Sequence, residues 1–264
     1  GRLDAYVSVV EALLSDERAD SNAYVRCELL LRLGEVLENE RNDLERAAQL
    51  YAQAEKIGVR MVDVWRAQAR VAGARGDSAE QMRLLERLAG VGEDEADTRV
   101  DALYRLAEVQ LASDDTFDDG IAALEHALGE SFRAERAALI LRRSCEERPD
   151  HAGLLDVYEQ VARRSADDTT LAHYLERRAQ HSEATPEQAR EAVDKAIELG
   201  REEKAEELML RAAEIGHALN RRDDLARVDW ALLGLGERRL AANDLAGAVK
   251  WLCDAAEVAE LDAL

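Results

Sequence analysis

Helical periodicity runs through nearly the whole chain and is interrupted only by short polar stretches. Apolar residues recur every three or four positions, which is the spacing of one face of an α-helix, and no alternating strand pattern occurs. The only two prolines, Pro149 and Pro186, leave almost every backbone amide able to donate within a helix. The sequence therefore predicts an all-α fold.

The pattern predicts fourteen helices separated by short linkers, so neighbouring helices must form antiparallel hairpins. The predicted ranges are 3–15, 22–39, 43–57, 60–74, 78–90, 97–113, 116–129, 131–147, 151–164, 167–182, 186–199, 202–220, 223–242 and 244–260. Thr185-Pro186-Glu187-Gln188 is a start signal, because it combines a capping Thr, a first-turn Pro and a Gln three residues on. Gly58 and Gly200 are stop signals.

The second helices of the predicted hairpins share a pattern of a small, then a bulky, then a small residue. The aligned sets are Ala47/Tyr51/Ala54, Gln81/Leu85/Leu88, Gly120/Leu124/Ala127, Leu154/Tyr158/Val161, Ala189/Val193/Ala196 and Ala248/Leu252/Ala255. Counting back, the repeats begin near residues 28, 62, 101, 135, 170 and 229, and three of the five spacings are 34 or 35 residues. A recurring period of this length indicates a helical repeat protein.

The first helices add a Leu-Gly pair at a characteristic spacing. The residues concerned are Leu30, Leu33, Gly34 and Leu37, then Leu232, Leu235 and Gly236, with Trp65 at the first position of the second repeat. Gly76-Asp77 and Asn243-Asp244 stand at the turns between helices. Over about 28–200 and 229–264 the chain resembles the tetratricopeptide repeats. The resemblance implies a right-handed superhelix, an α-solenoid, of antiparallel helical hairpins.

Glycine and alanine inside these helices have a packing explanation. Stacked helices must approach within about 8–10 Å, and a small residue at the crossing lets the backbones meet. The glycine costs about 1 kcal/mol of helix propensity, which closer packing offsets. A single hairpin cannot bury such a face, so stability requires a stack of roughly three or more repeats.

We divide the chain into four parts. Residues 1–27 form an N-terminal helix that completes or caps the stack, and residues 28–200 form five repeats. Residues 201–228 form an irregular helix with a break in register. Residues 229–264 form the last repeat, which we leave open as complete or truncated.

The chain is strongly acidic, with a net charge of −21 from 35 basic and 56 acidic side chains. Such a surface repels nucleic-acid phosphates and anionic lipid headgroups, so neither nucleic acid nor membrane insertion is expected. The three cysteines, Cys27, Cys145 and Cys253, are odd in number and far apart, which favours the cytoplasm. Because the chain begins with Gly1, a leader or anchor could have been removed.

No catalytic, metal or cofactor constellation is predicted. The histidines are scattered and are expected on solvated helix faces; they are His126, His151, His173, His181 and His217. Cys145 has no His at helical spacing that would activate it. The acidic stretch that begins at Ser113 has the wrong spacing for a calcium loop and is expected to be an acid-rich helix start. We therefore predict that the protein is not an enzyme and holds no cofactor and no metal.

The prediction for function is a surface that binds another protein. The repeat resemblance places the first helices along a concave groove, with these inward residues as candidate contacts: Arg66, Arg70, Tyr104, Arg143, Tyr174 and Arg178, together with Glu108 and Trp230. Arg and Tyr are enriched at binding hot spots, although long side chains also simply cover apolar surface. The Lys and Asn of the peptide-carboxylate clamp known in some family members are missing, so that specificity is not implied.

We therefore expect a non-catalytic scaffold that binds a partner protein or peptide in the groove. The alternative is a regulatory or sensor segment of a larger signalling protein, such as a kinase or a transcription regulator. A helical-toroid enzyme is a third and weaker interpretation. The oligomeric state, and the use of the groove or of the convex face, stay open.

Overall fold

The structure is a computed structural model that describes residues 2–15, 22–219 and 228–262. Within these ranges the chain forms fourteen α-helices and two short 3-10 turns, and none of the described residues lies in a β-strand. The predicted all-α class is confirmed.

The helices belong to two compact units, Gly1–Arg133 and Ala134–Leu264. The first unit contains α1 (Arg2–Leu14), α2 (Ala23–Arg41), α3 (Leu44–Ile57), α4 (Met61–Ala74), α5 (Ser78–Ala89), α6 (Ala96–Leu111) and α7 (Phe117–Glu130). The second contains α8 (Ala134–Glu147), α9 (Ala152–Ser165), α10 (Asp168–Gln180), α11 (Pro186–Glu198), α12 (Glu202–Leu219), α13 (Asp229–Ala241) and α14 (Leu245–Asp262). These bounds lie within about three residues of the predicted ranges, but the predicted start of the thirteenth helix at 223 lies outside the described residues.

Local sequence signals set the helix ends. Thr185 and Gln188 form the predicted capping box, with Pro186 in the first turn of α11. Gly58 and Gly200 follow α3 and α11 with φ angles of 77° and 69°, a left-handed conformation that glycine adopts without strain. The predicted start and stop signals are confirmed at these positions.

Consecutive helices pack together within each unit. In the first unit the hairpins are α2 with α3, α4 with α5, and α6 with α7. In the second unit α8 packs with α9, α10 with α11, and α13 with α14, while α12 contacts both α11 and α13. The bulky positions of the repeat pattern are buried at Tyr51, Leu85, Leu124, Tyr158 and Val193, and Leu252 is half-buried. Each hairpin thus contributes one large side chain to the interior of its unit.

The glycines of the Leu-Gly pairs make room for these bulky side chains. A Cβ added at Gly34 of α2 would lie 2.4 Å from Cε1 of Tyr51 on α3. A Cβ added at Gly236 of α13 would lie 2.6 Å from the side chain of Leu252 on α14. Packed atoms do not approach so closely, so the predicted role of both glycines in helix packing is confirmed.

Candidate functional site

In the first unit, the first helices of successive hairpins lie side by side. Arg70 on α4 forms a two-pronged ion pair with Glu38 on α2, with 2.8 Å between Nη2 and Oε2. One turn earlier on α4, Arg66 donates through Nη2 to Oγ1 of Thr98 on α6 at 2.6 Å. The arginines of α4 therefore contact both neighbouring first helices, α2 and α6.

Glu38 is a buried carboxylate held by two donors. Its side chain is 7% exposed, it accepts a hydrogen bond from the Tyr51 hydroxyl at 3.0 Å, and it pairs with Arg70. Burial, with the neighbouring carboxylate, raises the pKa of Tyr51, and hydrogen bonding to Glu38 raises the pKa of Arg70. The tyrosine therefore stays a donor and the arginine stays a cation at physiological pH. Arg70 serves this structural pair, although 41% of its side chain remains exposed.

The two tyrosines predicted to contact a partner are core residues, which corrects that part of the prediction. Tyr104 is fully buried; its hydroxyl donates to the carbonyl of Ser131 at 2.9 Å and accepts from the backbone amide of Arg133 at 3.1 Å. Tyr174 is 3% exposed and packs edge-on against Tyr158, with ring centroids 5.8 Å apart. Buried rings offer no surface to a partner, so both tyrosines act in packing.

The predicted arginines of the second unit reach solvent. The side chain of Arg143 on α8 is 79% exposed and lies 3.4 Å from Glu147, one turn further along the helix. Arg178 on α10 is half-buried near Glu159 of α9. Hydrogen bonding from Arg163 lowers the pKa of Glu159, and the charge of Arg178 adds to the shift. Arg143 is thus largely open to solvent, and Arg178 is partly so.

Between α8, α9 and α10 lies a polar cluster that the sequence analysis missed. The Tyr158 hydroxyl and Nδ1 of His173 are hydrogen-bonded at 2.9 Å, and Nη2 of Arg142 donates to Oγ1 of Thr170 at 3.2 Å. Burial, followed by the charges of nearby arginines with Arg177 first, lowers the pKa of His173 to about 4. The imidazole is therefore neutral at neutral pH. The one available signal was the helical spacing of Thr170, His173 and Arg177.

The expectation of solvated histidines is wrong for two of them. His173 is half-buried in this cluster. His181 is 5% exposed, with Nε2 3.2 Å from the carbonyl of Asp150 and Nδ1 accepting from the amide of Glu183 at 3.1 Å. The side chain of His217 lies outside the described residues.

The structure also bears on metals and membranes. Among the side chains that are described, no group of three or more His, Cys, Asp or Glu is placed to hold a metal ion. None of the described helices combines the length and the apolar character that a bilayer span requires.

No protein-family model and no curated protein matches this chain. One similar solved structure carries the description "Circular tandem repeat protein with novel repeat topology and enhanced subunit contact surfaces". The two chains are 18% identical with a TM-score of 0.20, and the match covers 98% of this chain and 64% of the other. This chain therefore corresponds to less than two thirds of that protein's length. At such a TM-score the likeness carries no structural or functional argument.

The architecture follows from the chain's own packing, in which hairpins recur in each unit and a first-helix glycine meets a second-helix bulky residue. The chain is a helical repeat protein. In this helical repeat protein, the predicted residues with accessible donors are Arg66, Arg70, Arg143 and Arg178. Guanidinium groups recognise carboxylates and phosphates by paired hydrogen bonds.

Proposed function

We propose that this helical repeat protein is a non-catalytic scaffold of the tetratricopeptide type. Its first helices would bind a segment of another protein. One observation carries the proposal: side chains of α4 bond to both neighbouring first helices, Arg70 to Glu38 of α2 and Arg66 to Thr98 of α6. These contacts join three first helices of the first unit into one continuous face. The packing of Gly34 against Tyr51 supports the tetratricopeptide interpretation of the repeats.

Charge favours a particular kind of partner segment. The chain carries −21 overall, yet the proposed contact positions in both units are arginines. Each can pair with a carboxylate through two hydrogen bonds, so acidic or mixed residues are favoured against these helices. Basic flanks of the same segment would be attracted to the acidic remainder of the surface. Each unit carries its own arginines, Arg66 in the first and both Arg143 and Arg178 in the second.

The test is the affinity of an identified partner for chains that lack these arginines. We expect Arg66→Ala with Arg178→Ala to weaken binding by about 1 kcal/mol or more, which is roughly a fivefold change in Kd. Arg83→Ala with Arg164→Ala is the matched control, because both arginines are exposed, one in each unit, and lie on second helices outside the proposed contact set. A change below about 0.5 kcal/mol at the proposed positions would contradict the proposal. Circular dichroism verifies that each variant is folded.

A further inference from the structure

We propose that the second unit binds an oxyanion, a carboxylate or phosphate group carried by a partner segment, between Arg142 of α8 and Arg177 of α10. The proposal deepens the proposed scaffold function and rests on it, because the anion is presented by a bound protein segment. These two arginines differ from Arg143 and Arg178, which the sequence predicted as contacts in the same helices.

The positions of the two arginines follow from the contacts around α10. Arg142 reaches across from α8 to Oγ1 of Thr170. Thr170, His173 and Arg177 are spaced by three and four residues, so they lie on one face of the helix. The hydrogen bond from that face to Tyr158 places it against α9. Arg142 and Arg177 therefore flank the Tyr158–His173 pair.

Neither arginine forms a direct ion pair with a carboxylate of the described residues. Arg142 donates to a neutral hydroxyl, and its Nε is buried without a hydrogen-bond partner. The Arg177 side chain makes no ion pair and no hydrogen bond within the described part of the chain. Elsewhere in this unit, Arg163 pairs with two glutamates and Arg201 pairs with Glu176.

The buried groups that line the cluster carry no negative charge at neutral pH. Tyr158 and His173 are neutral at neutral pH, and burial raises the pKa of Cys145 on α8 to about 12. The nearest acid to Arg142 is Asp167, which acts through Thr170: its carboxylate accepts from the amide of Thr170 at 2.9 Å and from the Thr170 hydroxyl at 2.5 Å, and it forms no direct ion pair with Arg142.

Two half-buried cations without a directly paired carboxylate are unfavourable, because the loss of hydration is not fully offset by a partner. A single oxyanion between the guanidinium groups would supply that counterion. Carboxylates and phosphates present two or more oxygens that accept paired hydrogen bonds from the planar guanidinium group of arginine. Chloride is a single atom and cannot accept such a pair. The overall charge of −21 repels free anions, which favours an anion held in place by neighbouring contacts of a bound segment.

Sulfate is a suitable probe, because it is an oxyanion whose charge does not change near neutral pH. The full chain is titrated with sodium sulfate while sodium chloride holds the ionic strength constant. The His173 imidazole is observed by nitrogen-15 NMR and assigned by the signal lost in His173→Gln. We expect a saturable shift with a Kd of about 1–10 mM, and a rise of the His173 pKa above about 4.

The variants separate a site from a general charge effect. Arg142→Gln with Arg177→Gln is expected to abolish the shift, and Arg177→Gln alone to weaken binding at least fivefold. Arg164→Gln with Arg190→Gln removes the same charge from exposed positions of the unit and is expected to keep it. If the control loses the sulfate-induced shift as completely as Arg142→Gln with Arg177→Gln does, the proposal is overturned.

Two other results would also overturn it. One is a wild-type response to sulfate no larger than the response to chloride. The other is a shift that depends on Arg143 and Arg178 while surviving the loss of Arg142 and Arg177. Competition by two peptides of one sequence, carrying either Glu or phosphoserine, then identifies whether carboxylate or phosphate is preferred. Because the sulfate titration requires no partner, its outcome is independent of the affinity test of the scaffold.

Discussion

Replacing Gly34 with Ala tests whether close helix packing holds the first repeat together. The added Cβ would lie 2.4, 2.7 and 3.0 Å from three ring atoms of Tyr51. The ring has no simple way to move aside, because it is fully buried and its hydroxyl is bound to Glu38, which in turn holds Arg70. The substitution therefore forces a displacement of α2 from α3 or the loss of that hydrogen bond.

The expected magnitude is a balance of opposing effects. Overpacking a dense interior costs about 1–3 kcal/mol, and losing the hydrogen bond from Tyr51 adds about 1 kcal/mol. Alanine regains about 1 kcal/mol through its better helix propensity. We expect Gly34→Ala to lower the free energy of unfolding by about 1–3 kcal/mol. Urea unfolding followed by circular dichroism measures this change.

Gly129→Ala is the matched control. Gly129 also lies within a helix, α7, but a Cβ added there meets nothing within 4 Å. Only the propensity gain applies, so this variant is expected to be as stable as wild type or up to about 1 kcal/mol more stable. In a Tyr51→Leu background, Gly34→Ala should cost less, because the smaller side chain leaves room for the methyl group. If Gly34→Ala stabilises the protein as Gly129→Ala does, or if the two sites show no coupling, the packing explanation is refuted.

Three further predictions concern charge and reactivity. Arg70→Met, which leaves the buried Glu38 carboxylate without its cation, should cost about 1–3 kcal/mol in urea unfolding, whereas exposed Arg143→Met should cost less than about 0.5 kcal/mol. Cys253, the exposed cysteine, should react with a thiol reagent in the folded protein while the two buried thiols react only after unfolding; equal rates would contradict this. Burial lowers the pKa of His173 from 6.5 to about 4, so the unfolded state takes up a proton there first as the pH falls. Stability should therefore fall as pH drops from about 6.5 to about 4, and His173→Gln should remove that slope from the pH profile.

Local signals predicted the fold because they act within a few residues. Helix ends depend on caps such as Thr185 and on glycines such as Gly58, both of which are visible in the sequence. The repeat spacing then predicted which glycine would meet which bulky residue, as with Gly34 and Tyr51. The helical period of the apolar residues therefore predicts well which residues lie at the centre of the buried face of a helix.

The helical period does not show how far the buried face extends around the helix, so residues at its edge are predicted less well. Tyr104 was placed on the surface by counting along its helix, yet it is enclosed because residues 131–133, which follow α7, bond to its hydroxyl. His173 was assigned to solvent because nothing nearby in sequence marks it, and it is covered by a tyrosine from the preceding helix. Contacts of this kind join residues on different helices, so a single sequence without its packing does not reveal them.

The arginines of this acidic chain divide into two groups by what they contact. Several connect elements about one repeat apart, as Arg70 does with Glu38 at a separation of 32 residues and Arg87 with Glu55 at the same separation. The more exposed pair, Arg87 with Glu55, contributes about 0.2–1 kcal/mol, so its main effect is to favour one alignment of neighbouring hairpins over shifted ones. Arg142 and Arg177 differ, because neither pairs directly with a carboxylate of the described residues: Arg142 donates to the Thr170 hydroxyl, and Arg177 acts on the His173 imidazole. The proposed oxyanion site needs arginines whose donors are not already taken by a directly paired carboxylate, and Arg142 and Arg177 meet that requirement, because Arg142 donates to a hydroxyl and its Nε has no partner.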